Sequence, residues 1–134
     1  MIWHKQVIDF LKTSGIFQNV QLQGGKVRAI IDSMRFLDIH YDPLSGSYSY
    51  ALIDLSLTGE GDKRLLGWDD FPHKGETALT QLSSFPHHYQ ERNSEGQWYF
   101  KSSSFNGNLE VEIPIVIEVI RKFLKISTSN RESL

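Results

Sequence analysis

Over the first part of the chain the apolar side chains fall at helical spacing. Trp3, Val7, Ile8, Phe10 and Leu11 recur on one face, and "TSG" closes the run with Gly15 in a C-cap position. The spacing predicts a short amphipathic helix. The period then drops to two. Val20 and Leu22 alternate with glutamines, Gly24-Gly25 supplies a two-residue turn, and Val27, Ala29 and Ile31 alternate again, which predicts a hairpin. In "MRFLDIHYD" Leu37, Ile39 and Tyr41 take one face while Phe36, Asp38 and His40 take the other. "DPLSGS" turns the chain into "YSYALIDLSL", a second hairpin. The polar turn "TGEGDK" leads into "RLLGW", a short strand that ends on Trp68 and Asp69.

From Asp70 to Glu95 no period is sustained, and an irregular stretch of that length in a small domain predicts a functional loop. "QWYFKSSSF" reads as one more strand, with Trp98 and Phe100 facing opposite to Tyr99. "IPIVIEVIRKFLKI" has Pro114 near its first turn and Val116, Val119, Ile120, Phe123 and Leu124 at helical spacing. Its β-branched residues leave a strand start near "LEVEI" open as an alternative. The expected fold is α+β: a curved antiparallel sheet of about five to six strands with an N-terminal and a C-terminal helix packed on it. One domain is expected over residues 1–126, followed by a frayed polar tail over 127–134.

Composition narrows the function classes. A chain of 134 residues with 40% apolar content, including 8 Phe, 5 Tyr and 3 Trp, can bury a core of its own and does not belong to the disordered class. With 14 Lys+Arg against 16 Asp+Glu the formal charge is -2, so the whole-molecule field attracts neither nucleic acid nor anionic membrane. Any RNA contact has to be local. The absence of cysteine excludes thiolate chemistry, Cys-type zinc sites and disulfides, and fits a reducing compartment. Lys5, Asp9 and Lys12 interrupt the N-terminal apolar run, so it does not read as a signal peptide, and no apolar run reaches membrane-span length. The expected location is cytoplasmic, with no membrane association.

The segment "WDDFPHKGETALTQLSSFPHH" carries most of the candidate chemistry. It holds Phe-Pro-His twice, at 71–73 and 85–87, with His88 following the second copy. The prolines fix their own backbone and push Phe71 and Phe85 toward extended conformations, so each following histidine stands on a stiff frame. The two turns are expected to form the rims of one pocket and to bring His73 and His87 together. Asp69, His73, His87 and His88 are the candidate catalytic residues, and Trp68, Arg64, Lys74, Tyr89 and Arg92 the candidate substrate-binding ones.

Three readings of this segment stay open. A metal-independent phosphodiesterase needs a base, an acid and a cation for the developing charge; His73 and His87 would fill the first two roles, with Arg64, Lys74 or Arg92 as the cation. A histidine beside Asp69 or Asp70 would have its charged form favoured, which suits an acid. Alternatively, Asp69, His73 and His87 would ligate a divalent Zn, Mn, Ni or Fe. Neighbouring His87 and His88 point to opposite sides if extended, so one of them joins a given cluster. In the third reading Trp68, Phe71 and Phe85 are core anchors, and the Pro-His pairs mark turns whose imidazoles bond backbone carbonyls. His40 reads as solvated or locally bonded, and His4 as structural. No H-E-x-x-H, Walker-type or Gly-rich dinucleotide pattern is present.

"FLDIHYDPLSGSYSYAL", "LGWDDFPHK" and "SSFPHHYQ", in this order, resemble the TumE family of small prokaryotic proteins. In that family an aromatic-Asp-Asn-x-Pro-His motif at a strand end is followed, after a short gap, by Thr-Phe-Pro-His-His. The resemblance is most specific at Asp69, Pro72, His73, Phe85, Pro86, His87 and His88. Asp70 stands where the family usually carries Asn, Lys74 where a further His is common, and the gap is longer here. The resemblance implies the toxin half of a toxin-antitoxin pair: a cytoplasmic growth inhibitor directed at RNA or translation and neutralised by a helix-turn-helix antitoxin. RNA and a second copy of the chain are its other candidate partners. A non-enzymatic protein-interaction module and a small His/Asp metal-dependent hydrolase are the alternatives.

Overall fold

The alternating segments pair with their neighbours in chain order. In a computed structural model that describes residues 2–58, 61–73, 76–93 and 95–132, seven strands form one antiparallel sheet in the order β1 to β7. They are β1 Asn19–Gln23, β2 Lys26–Ile30, β3 Arg35–Tyr41, β4 Tyr48–Asp54, β5 Arg64–Asp69, β6 His88–Arg92 and β7 Trp98–Ser102. Antiparallel neighbours need only short turns, and the Gly, Pro, Asn and Asp clusters between the apolar runs supply most of them. Three helices complete the described residues: α1 Ile2–Ser14, α2 Thr77–Thr80 and α3 Leu109–Glu132.

One face of the sheet is apolar because the strands alternate. Val27 and Ala29, Leu37 and Ile39, Tyr50 and Leu52, and Leu66 and Trp68 all point to it and are buried. On α1 the buried apolar positions are Trp3, Val7 and Leu11, four residues apart, and Gly15 ends the helix at φ 78°. On α3 they are Ile113, Val116, Ile117 and Ile120, which join the same core as α1 and the sheet. Both terminal helices therefore lie on one side.

The α+β architecture and its two flanking helices are as the pattern predicts. The alternative strand start at "LEVEI" is not adopted: Leu109 opens α3, five residues ahead of Pro114. The backbone N–H of Glu112 bonds the Asn108 carbonyl at 2.9 Å. The carboxylate of Glu112, 3% exposed, gathers the N–H groups of Asn106, Gly107 and Asn108 and the Tyr50 hydroxyl. A carboxylate that collects the free amides before a helix start fixes where the helix begins. The α3 backbone runs to Glu132 and so takes in residues 127–132 of the expected tail.

The opposite face is small and polar. Arg28 and Asp38 make a two-point ion pair across β2 and β3 at 2.8 and 2.9 Å, and His40, Ser49, Ala51, Gly67, Asp69, His88 and Gln90 follow across the sheet in paired register. The connection from Asp70 to His87 folds over the β7 end, where α2 packs and Leu79 is fully buried. β6 falls inside the stretch that has no apolar period in the sequence. Its inward positions, His88 and Gln90, are polar, so the alternation exists without a hydrophobic signal.

Candidate functional site

The centre of this polar face is Asp69, the last residue of β5. It pairs in register with Ser49 on one side and His88 on the other, and is only 3% exposed. A buried carboxylate needs partners for its lone pairs. The Phe71 N–H donates to Oδ1 at 2.9 Å, and Nη1 of Arg64 donates to Oδ2 at 2.9 Å. His88 Nε2 lies 3.2 Å and His73 Nε2 3.8 Å from Oδ1.

Arg64 reaches this carboxylate because of a bulge. Leu52 pairs with Leu66, but the next residue, Ile53, pairs with Arg64, so Leu65 is the extra residue on β5. In an unbroken ladder Leu65 would face the polar side; the bulge turns Arg64 there instead. The arginine lies across Gly67, where a Cβ would come within 3.5 Å of its Cδ. A bulge and a glycine thus place the guanidinium of Arg64 beside Asp69.

His88 is fully buried, and both of its ring nitrogens face oxygen. A carbonyl only accepts, so Nδ1–H donates to the Pro86 carbonyl at 2.9 Å. That puts a proton on Nδ1 and leaves Nε2 facing Asp69 Oδ1 and, 2.8 Å away, the side-chain amide of Gln90. His73 approaches from the other side. Its backbone is left-handed, φ 33°, a conformation that costs a non-glycine residue about 1–2 kcal/mol. Its Nε2 is shielded from solvent with no hydrogen-bond partner, although a third of the side chain is exposed. Burial pushes the His73 imidazole below the ordinary histidine range, aided by His88 and Arg64 and outweighing the pull of Asp69. Asp69 favours the charged form of His73, as expected, but burial outweighs it. The two rings meet edge to face, with centroids 5.3 Å apart.

His87 does not join this group, contrary to the expected pairing of His73 with His87. It stacks on Tyr48 at 5.8 Å, and its Nδ1 lies 2.9 Å from the Tyr48 hydroxyl. That hydroxyl gives its single proton to the Phe105 carbonyl at 3.0 Å, so His87 must donate to it. His87 holds the connection to the sheet. The metal-capable group among the described residues is Asp69, His73 and His88, one ligand atom of each lying within 4.8 Å of the others, and not the expected set with His87. The opposite orientation of His87 and His88 is as expected.

The substrate-binding candidates divide. Arg64 belongs to the site. Trp68 and Tyr89 do not: neighbours of Asp69 and His88 along their strands, they project to the helix side, where their rings pack 4.9 Å apart and Trp68 meets Phe105. Arg92 lies at the far end of β6, bonded to the Asp62 carbonyl at 2.9 Å and stacked over Trp98 at 4.5 Å. Lys74 lies outside the described residues. His4 is structural, bonded to the Gly25 carbonyl at 2.9 Å.

A cavity of about 490 Å³ opens beside the cluster. Asp69, Arg64 and His73 line it together with His40, Ser47 and Phe71, and His88 lies outside the lining. Its size is that of a small-ligand site. His40, read as a solvated strand residue, is exposed at this cavity, directly across the ladder from Ser49. Gln90 went unrecognised in the sequence. The signal was there: it stands two residues from His88, on the same strand face. The arrangement can do two things chemically: move a proton at His73 or His88 beside a fixed carboxylate and guanidinium, or hold a cation between carboxylate and imidazoles. No protein-family model matches this chain, and neither a curated protein nor a solved structure matches it significantly.

Proposed function

We infer that the chain is a TumE-like toxin that cleaves phosphodiester bonds of RNA at the Asp69, His73 and His88 centre, and that a helix-turn-helix antitoxin neutralises it. The observation that carries this reading is the convergence, within 4.8 Å, of three groups able to transfer protons or ligate a metal, two of which, Asp69 and His73, line a cavity of about 490 Å³. Phosphodiester cleavage by an adjacent 2′-hydroxyl forms a bond from that oxygen to phosphorus and breaks the bond to the 5′ oxygen. One proton must leave the nucleophile and one must reach the leaving group while charge builds on the phosphoryl oxygens. A guanidinium beside such a centre, as Arg64 is, answers the last requirement. The cavity lies on the polar face of the sheet, opposite the face on which α1 and α3 pack.

The test is induced expression of the wild-type chain and of Asp69→Asn and His73→Ala, with growth and cleavage of a single-stranded RNA oligomer as readouts. Growth arrest and RNA cleavage by the wild type, with cleavage falling at least ~100-fold in each variant, are expected from losing a group used in proton transfer. Equal growth arrest by all three chains, without RNA cleavage, would instead identify a protein-binding module.

A further inference from the structure

The polar face raises an electrostatic difficulty. The cavity is lined by the carboxylates of Asp42, Asp69 and Asp70 with Arg64 as its cation, so a phosphodiester entering it meets an excess of negative charge. The chain's own net charge of -2 gives no help from outside. Something positive has to be supplied if an anion is to settle there.

We propose that Asp69, His73 and His88 bind a divalent first-row transition-metal ion, with coordination positions left open toward the cavity. The inference rests on the reading of this centre as a phosphodiester-cleaving one and says how the site attracts its substrate. Spacing is the first argument. A tetrahedral ion with bonds of ~2.0–2.2 Å holds its ligand atoms ~3.3–3.6 Å apart. His88 Nε2 and His73 Nε2 stand 3.2 and 3.8 Å from Asp69 Oδ1, either side of that range.

The surroundings of the three ligands are the second argument. A metal-binding histidine commonly donates its other ring N–H to a carbonyl, which fixes the tautomer and orients the ring. His88 does this through Pro86, leaving Nε2 aimed at Asp69. Arg64 occupies Oδ2 of Asp69, which leaves Oδ1 as the oxygen facing the two imidazoles. His73 offers a solvent-shielded nitrogen with no protein partner, held there at the expense of a left-handed backbone. Two imidazoles and one carboxylate form a donor set suited to Zn²⁺, Fe²⁺ or Mn²⁺, and three protein ligands leave room for water or a phosphoryl oxygen. The Gln90 side chain, 2.8 Å from His88 Nε2, has to give up that contact when the ion takes the nitrogen.

The experiment uses the full chain after dialysis against chelator, titrated separately with ZnCl₂ and MnCl₂ in a calorimeter. One equivalent of at least one ion per chain is expected. His73→Ala should weaken binding by more than the ~10–100-fold that loss of an outer-shell partner causes, and His87→Gln should leave it unchanged. His73 is partly exposed, so its variant keeps the test alive if His88→Gln fails to fold. With Co²⁺ bound, the visible spectrum should change on adding inorganic phosphate. No saturable binding of either ion, or equal binding by His73→Ala, overturns the metal site. Chelator-treated protein that still cleaves RNA overturns it too, yet leaves the proposed function standing. One equivalent of metal without RNA cleavage supports the metal site and overturns that function.

Discussion

Gly67→Ala tests how closely fold and site depend on each other. Gly67 needs no left-handed backbone; it is required by proximity. A Cβ there would stand 2.7 Å from the Tyr50 carbonyl oxygen and 3.3 Å from the Ala51 Cα, both backbone atoms of β4, and 3.5 Å from Arg64 Cδ. Carbon and carbonyl oxygen of adjacent strands normally meet no closer than ~3.3 Å. Since the obstacle is backbone, the two strands have to separate by several tenths of an ångström, and overpacking of this kind costs about 1–3 kcal/mol. Loss of glycine's freedom in the unfolded chain offsets about 0.4–1 kcal/mol of that. The net is a destabilisation of up to about 2.6 kcal/mol, about 1.3 kcal/mol at mid-range. At about 2.1 cal/mol/K per residue of unfolding entropy, a chain of 134 residues should then melt roughly 5 °C lower, and at most about 9 °C. Scanning calorimetry reads this directly, and urea unfolding should show a lower midpoint at unchanged m-value. A variant that melts at or above the wild-type temperature would refute the reasoning, because the β4–β5 contact would then have slack that the geometry denies it.

Two further substitutions separate architecture from chemistry. Glu112→Gln keeps the shape but turns an amide NH₂ toward some of the donors that converge on the buried carboxylate from Tyr50, Asn106, Gly107 and Asn108. With about 1–3 kcal/mol for each buried donor left unsatisfied, urea unfolding should register a loss of about 2–4 kcal/mol, and an unchanged midpoint would contradict it. His87→Gln removes the donor to Tyr48 and should lower stability by about 1 kcal/mol while RNA cleavage is retained. Loss of cleavage with stability intact would return His87 to the reaction centre.

The fold was legible wherever burial and hydrophobicity coincide. α1, the first two hairpins, β5 and β7 follow from apolar residues at periods of 3.6 or two. β6 was not, because its buried side chains are His88 and Gln90: a strand that faces a polar site alternates between two kinds of polar residue. Its reading as loop and the uncertainty over the site share this cause. The start of α3 was obscured for a different reason. β-branched residues and Pro114 argue against helix locally, while the Glu112 carboxylate, whose partners lie on another strand and in the preceding turn, decides the matter through contacts that no local pattern contains. Asp69 and His73 were identifiable from a strand end followed by Pro-His, and the exclusion of either His87 or His88 from the other's cluster from strand geometry alone. Which of the two was excluded depended on the register Asp69↔His88, a tertiary fact.

That register also explains why one tripeptide, present twice, is used in two ways. Asp69, His88 and Gln90 belong to paired strands, and Arg64 to the bulge beside them, so their mutual geometry is set by the sheet. In the second Phe-Pro-His copy the proline acts through its carbonyl, which orients His88, while the histidine of the motif turns away to Tyr48. In the first copy the histidine itself, on a left-handed backbone, brings its Nε2 to 3.8 Å from Asp69 Oδ1 at the end of β5. His73 accordingly depends wholly on the connection between β5 and β6, whereas Asp69 and His88 take from it one hydrogen bond each, from the Phe71 N–H and to the Pro86 carbonyl. Changes within that connection away from Phe71 and Pro86 should alter the placement of His73, and leave the Asp69, Arg64 and His88 frame where the sheet holds it.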